Sequence, residues 1–255
     1  MNGRFVAIVL SLAFGFGGCG RAGKTPLLVF AGAAIKAPLD EYAESWGKRN
    51  GVEVQIAYGG SGAVLSQMIL ARTGDVYISG SEEFMAKAEE RKAVDRTTRC
   101  TIATLVPVIA VPRGNPKQIL LLEDLARPGL RVGIGDPETV CVGAVALRLF
   151  REAGLLERIE PNIVVHAKSC EDTAAVLVLG QVDVVIGWDV FDDQRPQDIA
   201  VVSLPPALRA QTDHVVGAVA AFATHRELAR SFLDGLTSPE GRAIIAAHGY
   251  TVDAP

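Results

Sequence analysis

Apolar and polar positions along the chain follow a repeating order of strand and helix. Short apolar runs rich in β-branched and aromatic residues, such as LLVFAGA from Leu27 and VEVQIAY from Val52, have the length and composition of strands. The segment between them, PLDEYAESWGKRNG, places Leu39, Tyr42 and Trp46 on one helical face and ends at a glycine. Strands and helices that alternate at this spacing predict a mostly parallel sheet with helices on both faces.

The strand–helix order occurs in two sets, which predicts two lobes. The second set begins at RVGIGDP and continues to IAVVSLPP, and a helical hairpin, RELARSFLDGLTSPEGRAIIAAHGY, closes the chain. A long apolar strand, TIATLVPVIAVP, lies between the sets. We expect the chain to cross between the lobes at residues 101–111 and again at residues 201–206.

The first twenty residues have the pattern of an export signal. One basic residue, Arg4, precedes an apolar run from Phe5 to Phe16, and small residues follow before Cys19. The run is short for a helix that spans a membrane. The segment FGGC that ends at Cys19 resembles the lipobox of bacterial lipoproteins, in which the cysteine becomes the acylated first residue. An ordinary signal peptide with an incidental cysteine is the alternative.

Composition and charge narrow the class of protein. The 255-residue chain is 49% hydrophobic and 21% charged, which is typical of a folded protein of one or two domains. Its formal net charge is −4, and no run of basic residues is longer than two, so we expect no nucleic-acid surface. The predicted organisation is a signal peptide at 1–18, a tether at 19–26, lobe I at 27–104 and 207–255, and lobe II at 105–206.

Four corners between a strand and a helix carry the candidate chemistry. In open α/β sheets, ligands bind beyond the carboxyl ends of the strands, where N–H groups at helix N-termini can hold an anion. Ser61 lies at one such corner, Cys141 at another, and Ser169 is the predicted N-cap of a helix that begins at Cys170. These corners contain few Lys or Arg residues, and neutral donors suit a dehydrated oxyanion. Ordinary strand–helix turns without a ligand are the alternative. The corners are AGAAIKAP, GGSGAV, ETVCVGAV and KSCEDT.

Several segments stand in the order and spacing of a known family: LLVFAGAAIKAPLDEYAESW, GDVYISGSEEFMAKA, VPVIAVPRGNP, LEDLARPGLRVGIGDPETV and FLDGLTSPEGRAIIAAHGY. With them, the chain resembles the solute-binding proteins of molybdate/tungstate ABC transporters over nearly all of its mature length. The resemblance implies an α/β, two-lobed type II periplasmic-binding-protein fold with the ligand cleft between the lobes. It also implies a monomeric binding protein without enzyme activity, located in the periplasm or at the cell surface. Its partners would be an ABC permease and ATPase, with a lipid anchor in the membrane.

Residue by residue, the resemblance implies five contacts to the oxyanion. Two family serines fall on Ala34, where only the backbone N–H can donate, and on Ser61, which keeps its hydroxyl. Backbone N–H groups are expected at Val142 and Cys170. The last contact, a tyrosine hydroxyl in the family, falls on Trp188, whose indole N–H can donate but cannot accept. Ala34 and Trp188 depart from the molybdate pattern, so the identity of the ion stays open.

The cysteines leave three interpretations open. Cys141 and Cys170 form a disulfide, as an oxidising compartment allows; or they stay reduced; or they fill space as weakly polar side chains. Reduced thiols at helix N-termini have a lowered pKa, which favours a soft metal or a thiophilic species such as arsenite. Cys100 is expected to be a buried, inert thiol. The histidines lack the spacing of a metal site, and we predict no metal and no cofactor. A ligand-sensing lipoprotein, or a redox enzyme that uses the two cysteines, are the alternative functions.

Overall fold

The computed structural model describes residues 26–252, which fold into two five-stranded sheets with helices packed against them. The predicted signal peptide, Cys19 and most of the tether lie outside the described residues. The strands are β1 (Leu27–Gly32), β2 (Val54–Gly59), β3 (Val76–Ser79), β4 (Cys100–Leu105), β5 (Pro107–Pro112), β6 (Val132–Gly135), β7 (Ile163–Ala167), β8 (Val184–Trp188), β9 (Ile199–Ser203) and β10 (Asp213–Val219). The helices are α1 (Lys36–Asn50), α2 (Ser61–Ala71), α3 (Glu82–Glu90), α4 (Cys141–Glu152), α5 (Leu156–Ile159), α6 (Cys170–Val178), α7 (Val190–Gln194), α8 (Pro206–Arg209), α9 (Arg226–Leu236) and α10 (Pro239–Ala247).

Both sheets are mixed, and each contains one reversed strand. The first sheet has the order β2-β1-β3-β10-β4, and β10 runs antiparallel to both of its neighbours. The second sheet has the order β7-β6-β8-β5-β9, and β5 is the strand that runs antiparallel to its neighbours. The remaining strands of each sheet share one direction, which confirms the predicted fold class. In both sheets the reversed strand is the first one after the chain arrives from the other sheet.

The long apolar run between the two sets of elements is two strands, contrary to the prediction of one. β4 belongs to the first sheet, β5 belongs to the second, and Val106 lies between them. Val106 is held by Asp189: its N–H donates to the carboxylate over 3.1 Å, and its carbonyl accepts from the Asp189 N–H over 2.9 Å. Desolvation raises the pKa of Asp189. Pro107 has no N–H to donate, which suits it to the first position of a strand.

The carboxyl-terminal helices pack on the first lobe, α9 against β10 and α10 against α1 and α9. The predicted apolar face of α1 is buried, and its Tyr42 and Trp46 rings meet the Phe232 ring of α9 edge-on at 5.1 and 5.2 Å. The Tyr42 hydroxyl donates to the Phe232 carbonyl over 2.8 Å. The aromatic contact therefore ties the end of the chain to its beginning. Within residues 26–252 no helix has the length and apolar character needed to cross a membrane.

Candidate functional site

All four predicted corners are the starting points of helices in the structure, and the first leads through a 3-10 turn at Ala33–Ile35 into α1. α2 begins at Ser61 directly after β2, α4 begins at Cys141, and α6 begins at Cys170. Ser169 is the N-cap of α6, as predicted, and its hydroxyl accepts from the Asp172 N–H over 3.0 Å. Because the first N–H groups of a helix have no partner within the helix, the starts of α2, α4 and α6 supply donors that a ligand can use.

The two lobes touch each other at these helix starts. The N–H of Gly62 in α2 donates to the carbonyl of Thr139, just before α4, over 2.9 Å. A Cβ on Gly60 would lie 2.5 Å from the same carbonyl, so only glycine allows this approach. A Cβ on Gly80 would lie 2.8 Å from the sulfur of Cys141. The candidate site therefore lies where the lobes meet.

Ser61 is the site residue that keeps a side-chain hydroxyl, and it is 1% exposed. Its Oγ accepts from the Gly80 N–H over 3.0 Å, which leaves the hydroxyl hydrogen for another acceptor. The Tyr77 hydroxyl donates to the Ser61 carbonyl over 3.0 Å and so holds the start of α2 in position. Ala34 lies at the same place, since a Cβ on Gly80 would be 3.2 Å from its Cβ and 3.6 Å from the Ser61 Oγ.

Tyr250 lies at the candidate site, and no pattern in the sequence pointed to it. It is buried, and its hydroxyl donates to the Ala34 carbonyl and accepts from Gln194 Nε2 over 2.9 Å. Gln194 belongs to α7 of the second lobe, so this hydroxyl also joins the lobes. Burial is the main cause that raises the pKa of Tyr250, and the negative charge of a thiolate at Cys170 or Cys141 would add to it. A tyrosine hydroxyl thus lies near the thiols, but it belongs to Tyr250 near the end of the chain and not to the position of Trp188, where the family has its tyrosine.

Cys141 and Cys170 are free thiols whose sulfurs lie 3.5 Å apart. Both are buried, and both belong to lobe II, so their contact does not depend on how the lobes are placed. A disulfide is about 2.05 Å long, so the sulfurs are in contact without a bond. Either thiol can donate to the other sulfur, and the Cys141 thiol is the donor when Cys170 is the one that ionises. This hydrogen bond lowers the pKa of Cys170 and, together with burial, raises the pKa of Cys141 well above its usual value.

Trp188 carries a buried donor without a partner at the candidate site. It is the last residue of β8 and is fully buried, and its Nε1 is the one buried side-chain nitrogen or oxygen among residues 26–252 that has no hydrogen-bond partner. The indole N–H lies beside Cys170, where it lowers the pKa of that thiol without forming a well-aligned hydrogen bond. The backbone N–H of Val142 lowers the pKa of both thiols in the same way. A buried donor without an acceptor costs about 1–3 kcal/mol, which a ligand oxygen would recover.

A cavity of about 490 Å³ opens beside the helix starts and reaches Cys170. One wall belongs to the first lobe at residues 33–40, and the other to the second lobe at residues 170–174 and 191–198. Lys36 is paired with Asp40 in this wall over 2.6 Å. Within residues 26–252 no three His, Cys, Asp or Glu side chains come together as a metal site would require. The cavity gives a small solute a path to the thiol pair from the side of Cys170.

The remaining cysteine lies away from this cluster. Cys100 is partly buried in β4, and its thiol donates to the Gly217 carbonyl at 3.7 Å. Burial raises the pKa of this thiol to about 11. At neutral pH it is therefore protonated and weakly reactive.

Comparison with known proteins places the chain in a family. The family model of bacterial extracellular solute-binding proteins matches residues 27–251. The molybdate-binding protein ModA of Mycobacterium bovis is 28% identical over 230 residues, which are 89% of this chain and 85% of ModA. A sulfate-binding protein of Synechococcus elongatus is 24% identical over 270 residues, covering 94% of this chain and 76% of that protein. The solved structure of the Azotobacter vinelandii periplasmic molybdate-binding protein has a TM-score of 0.76 at 21% identity, covering 89% of this chain and 100% of that one. The chain belongs to the bacterial extracellular solute-binding proteins.

Proposed function

We propose that this protein captures a tetrahedral oxyanion between its lobes, molybdate or tungstate in preference to sulfate, and delivers it to an ABC importer. The observation that carries the proposal is the unpartnered indole N–H of Trp188, buried beside the starts of α4 and α6. With the Ser61 hydroxyl and the Val142 N–H it forms a set of neutral donors drawn from both lobes. The relatives named for molybdate and sulfate support this class of ligand.

The charge of the ion would be balanced by backbone rather than by cationic side chains. Each helix N-terminus carries roughly half a positive charge, and α2, α4 and α6 begin at this place. Dehydrated donors of fixed geometry select an oxyanion by its size and its number of oxygens. We place Ala34, through its backbone N–H, and Cys170 among the contacts on the resemblance to the family.

The capture step needs a hinge, and the two crossings between the sheets are suited to it. Val106, held by Asp189, forms the first crossing, and residues 204–212 form the second, which is later than the predicted 201–206 because β9 extends to Ser203. Rotation about these segments would open the cleft, and the hydrogen bond from Gly62 to Thr139 would form again on closure. The closed form is the one that we expect the permease to recognise, and an ATPase would drive transport.

The cellular setting of the proposal rests on the amino-terminal sequence. We propose that residues 1–18 are removed on export and that Cys19 is acylated, so the protein is anchored to a membrane outside the cytoplasm. We also propose that it is a monomer, as the resemblance to the family implies. A lipoprotein that senses the same ion is the second candidate. A permease and ATPase encoded beside this chain would favour transport, and a histidine kinase would favour sensing.

Calorimetry of the purified protein with molybdate, tungstate and sulfate tests the proposal. We expect one site per chain and an affinity for molybdate and tungstate at least about tenfold above that for sulfate, a difference of about 1.4 kcal/mol. Ligand binding should also change the fluorescence of Trp188. Trp188→Phe should remove that signal, whereas Trp46→Phe, in the aromatic contact with α9, should keep it. Absence of binding by all three anions would overturn the proposal.

A further inference from the structure

The contact between Cys141 and Cys170 fits a ligand of another class. Their sulfurs lie 3.5 Å apart. An atom bonded to both at about 2.3 Å, the usual length of a bond from thiolate to a thiophilic metal, would have an S–X–S angle of about 100°. A linear two-coordinate ion would need a separation of about 4.6 Å on the same bond length. The observed separation therefore suits a bent centre, such as a pyramidal one with three bonds and a lone pair, and not a linear one.

We propose that the reduced Cys141–Cys170 pair is a binding site for the neutral oxyacid of a trivalent thiophilic element, with arsenous acid as the representative. The site shares the cleft of the proposed oxyanion site, but it does not depend on an oxyanion binding there. It is formed by lobe II alone, since both cysteines begin helices of that lobe.

The reaction is a condensation and needs no oxidant or reductant. Arsenous acid, As(OH)₃, meets two thiols; two As–O bonds and two S–H bonds break, and two As–S bonds and two O–H bonds form. Two water molecules leave, and arsenic keeps its oxidation state and one hydroxyl group. Because the acid is neutral, it reaches the buried thiols without the desolvation penalty of an ion.

The groups around the thiols supply a hydrogen-bond donor for the arsenic compound once it is bound. The remaining hydroxyl oxygen on arsenic is an acceptor, and the Trp188 N–H beside Cys170 is a buried donor with no partner in the described part of the chain. The Val142 N–H lies beside both sulfurs. The cavity that reaches Cys170 has a volume of about 490 Å³, ample for an acid of this size. The separation of the sulfurs, the unpartnered Trp188 N–H and the cavity that reaches Cys170 all support binding of arsenous acid at this pair.

The full-length protein, reduced and freed of excess reductant, is titrated with arsenite and analysed by intact mass and arsenic X-ray absorption. We expect one arsenic per chain with two sulfur neighbours and one oxygen neighbour. Loss of either thiol removes the chelate, so Cys141→Ser and Cys170→Ser should each bind arsenite on the order of a hundredfold more weakly. Cys100→Ser is the matched control and should bind as the wild type does.

Two further outcomes decide the proposal. Ser61→Ala should weaken oxyanion binding yet leave arsenite binding unchanged, which separates a failure of this proposal from a failure of the proposed function. Wild-type protein oxidised to a Cys141–Cys170 disulfide should lose arsenite and regain it on reduction, a test that needs no variant to fold. Absence of arsenite from the reduced wild type, or equal binding by the Cys141→Ser/Cys170→Ser variant, would overturn the assignment.

Discussion

The backbone N–H of Gly62 donates to the carbonyl oxygen of Thr139 over 2.9 Å and so joins the start of α2 in one lobe to the turn before α4 in the other. The structure is thus one in which the lobes are in contact at the candidate site. The Gly62 N–H, which has no partner within α2, donates to the facing lobe. The neighbouring Ser61 hydroxyl accepts a hydrogen bond and keeps its own hydrogen for a ligand. Contact between the lobes and binding of the solute are therefore coupled at adjacent residues.

Gly80→Ala should weaken ligand binding by hindering this contact, although it removes no donor. The added Cβ would lie 2.8 Å from the Cys141 sulfur and 3.2 Å from the Ala34 Cβ. We expect the affinity for the oxyanion to fall about tenfold or more, which corresponds to about 1.4 kcal/mol. Calorimetry gives the affinity, and small-angle scattering reports the fraction of closed molecules. Adding Cys141→Ala to Gly80→Ala removes the sulfur and should restore part of the affinity; no recovery would contradict the steric explanation.

Ser61→Ala should lower the affinity for the oxyanion by about ten- to hundredfold. The hydroxyl is buried, and a hydrogen bond to a charged ligand contributes about 1.5–3 kcal/mol. Ser45→Ala is the matched control, because that hydroxyl donates to the Tyr42 carbonyl on α1, away from the site. Thermal unfolding of both variants checks that the fold survives loss of the bond from Gly80. An unchanged dissociation constant for Ser61→Ala would place the site elsewhere.

The oxyanion affinity of the reduced protein should fall as pH rises. The Cys141 thiol, by donating to Cys170, lowers the pKa of Cys170, so a thiolate forms there below the usual thiol value of 9.0. A thiolate opposes a dianion at close range, so binding is strongest at low pH and weakens through the titration of Cys170. Asp213 and Tyr250 are the other ionisable groups whose charge is coupled to these thiols. Burial raises the pKa of Asp213, and the Tyr250 pKa, also raised by burial, lies above the range measured.

Calorimetry between pH 6 and pH 9 (roughly the span between the histidine and thiol titrations) checks this prediction with and without a reductant. The disulfide form and the Cys141→Ser/Cys170→Ser variant lack the ionisable pair, so both should bind with little dependence on pH. If the reduced wild type matches them across the range, the cysteines act only as packing residues.

Cys19→Ala should release the protein from membranes or block its processing. The apolar run of the predicted signal ends at FGGC, which places Cys19 where an acyl group would be attached. Membrane fractionation and amino-terminal sequencing of the native protein measure the outcome. Wild-type protein that is wholly soluble, with its first residue at another position, would rule out the anchor.

Local patterns in the sequence predicted the helix starts at the candidate site. Ser169 and Cys170 were placed correctly because a capping residue and the acidic first turn of α6 are adjacent in sequence. The prediction of one strand around Val106 was wrong. Hydrophobic character alone does not show that the two halves of this run enter different sheets, or that Asp189 binds Val106 between them.

Residues that arrive through long-range pairing could not be predicted in this way. Tyr250 reaches Ala34 because the adjacent Thr251 pairs with Thr104 at the edge of the first sheet. Gly80 reaches the site because β3 lies beside β1. The separation of the two thiols depends on the pairing of β6 with β7, which no spacing in the sequence reveals.

The most direct test of oxyanion capture is the position of a bound ion. Crystals grown with tungstate, measured at an absorption edge of tungsten, give an anomalous map in which the heavy atom is located without reference to any assignment of residues. We predict one strong peak between the lobes, with ion oxygens in hydrogen-bond distance of the Ser61 hydroxyl, the Val142 N–H and the Trp188 indole N–H. A peak elsewhere on the protein, or no peak in crystals soaked with excess tungstate, would contradict the account.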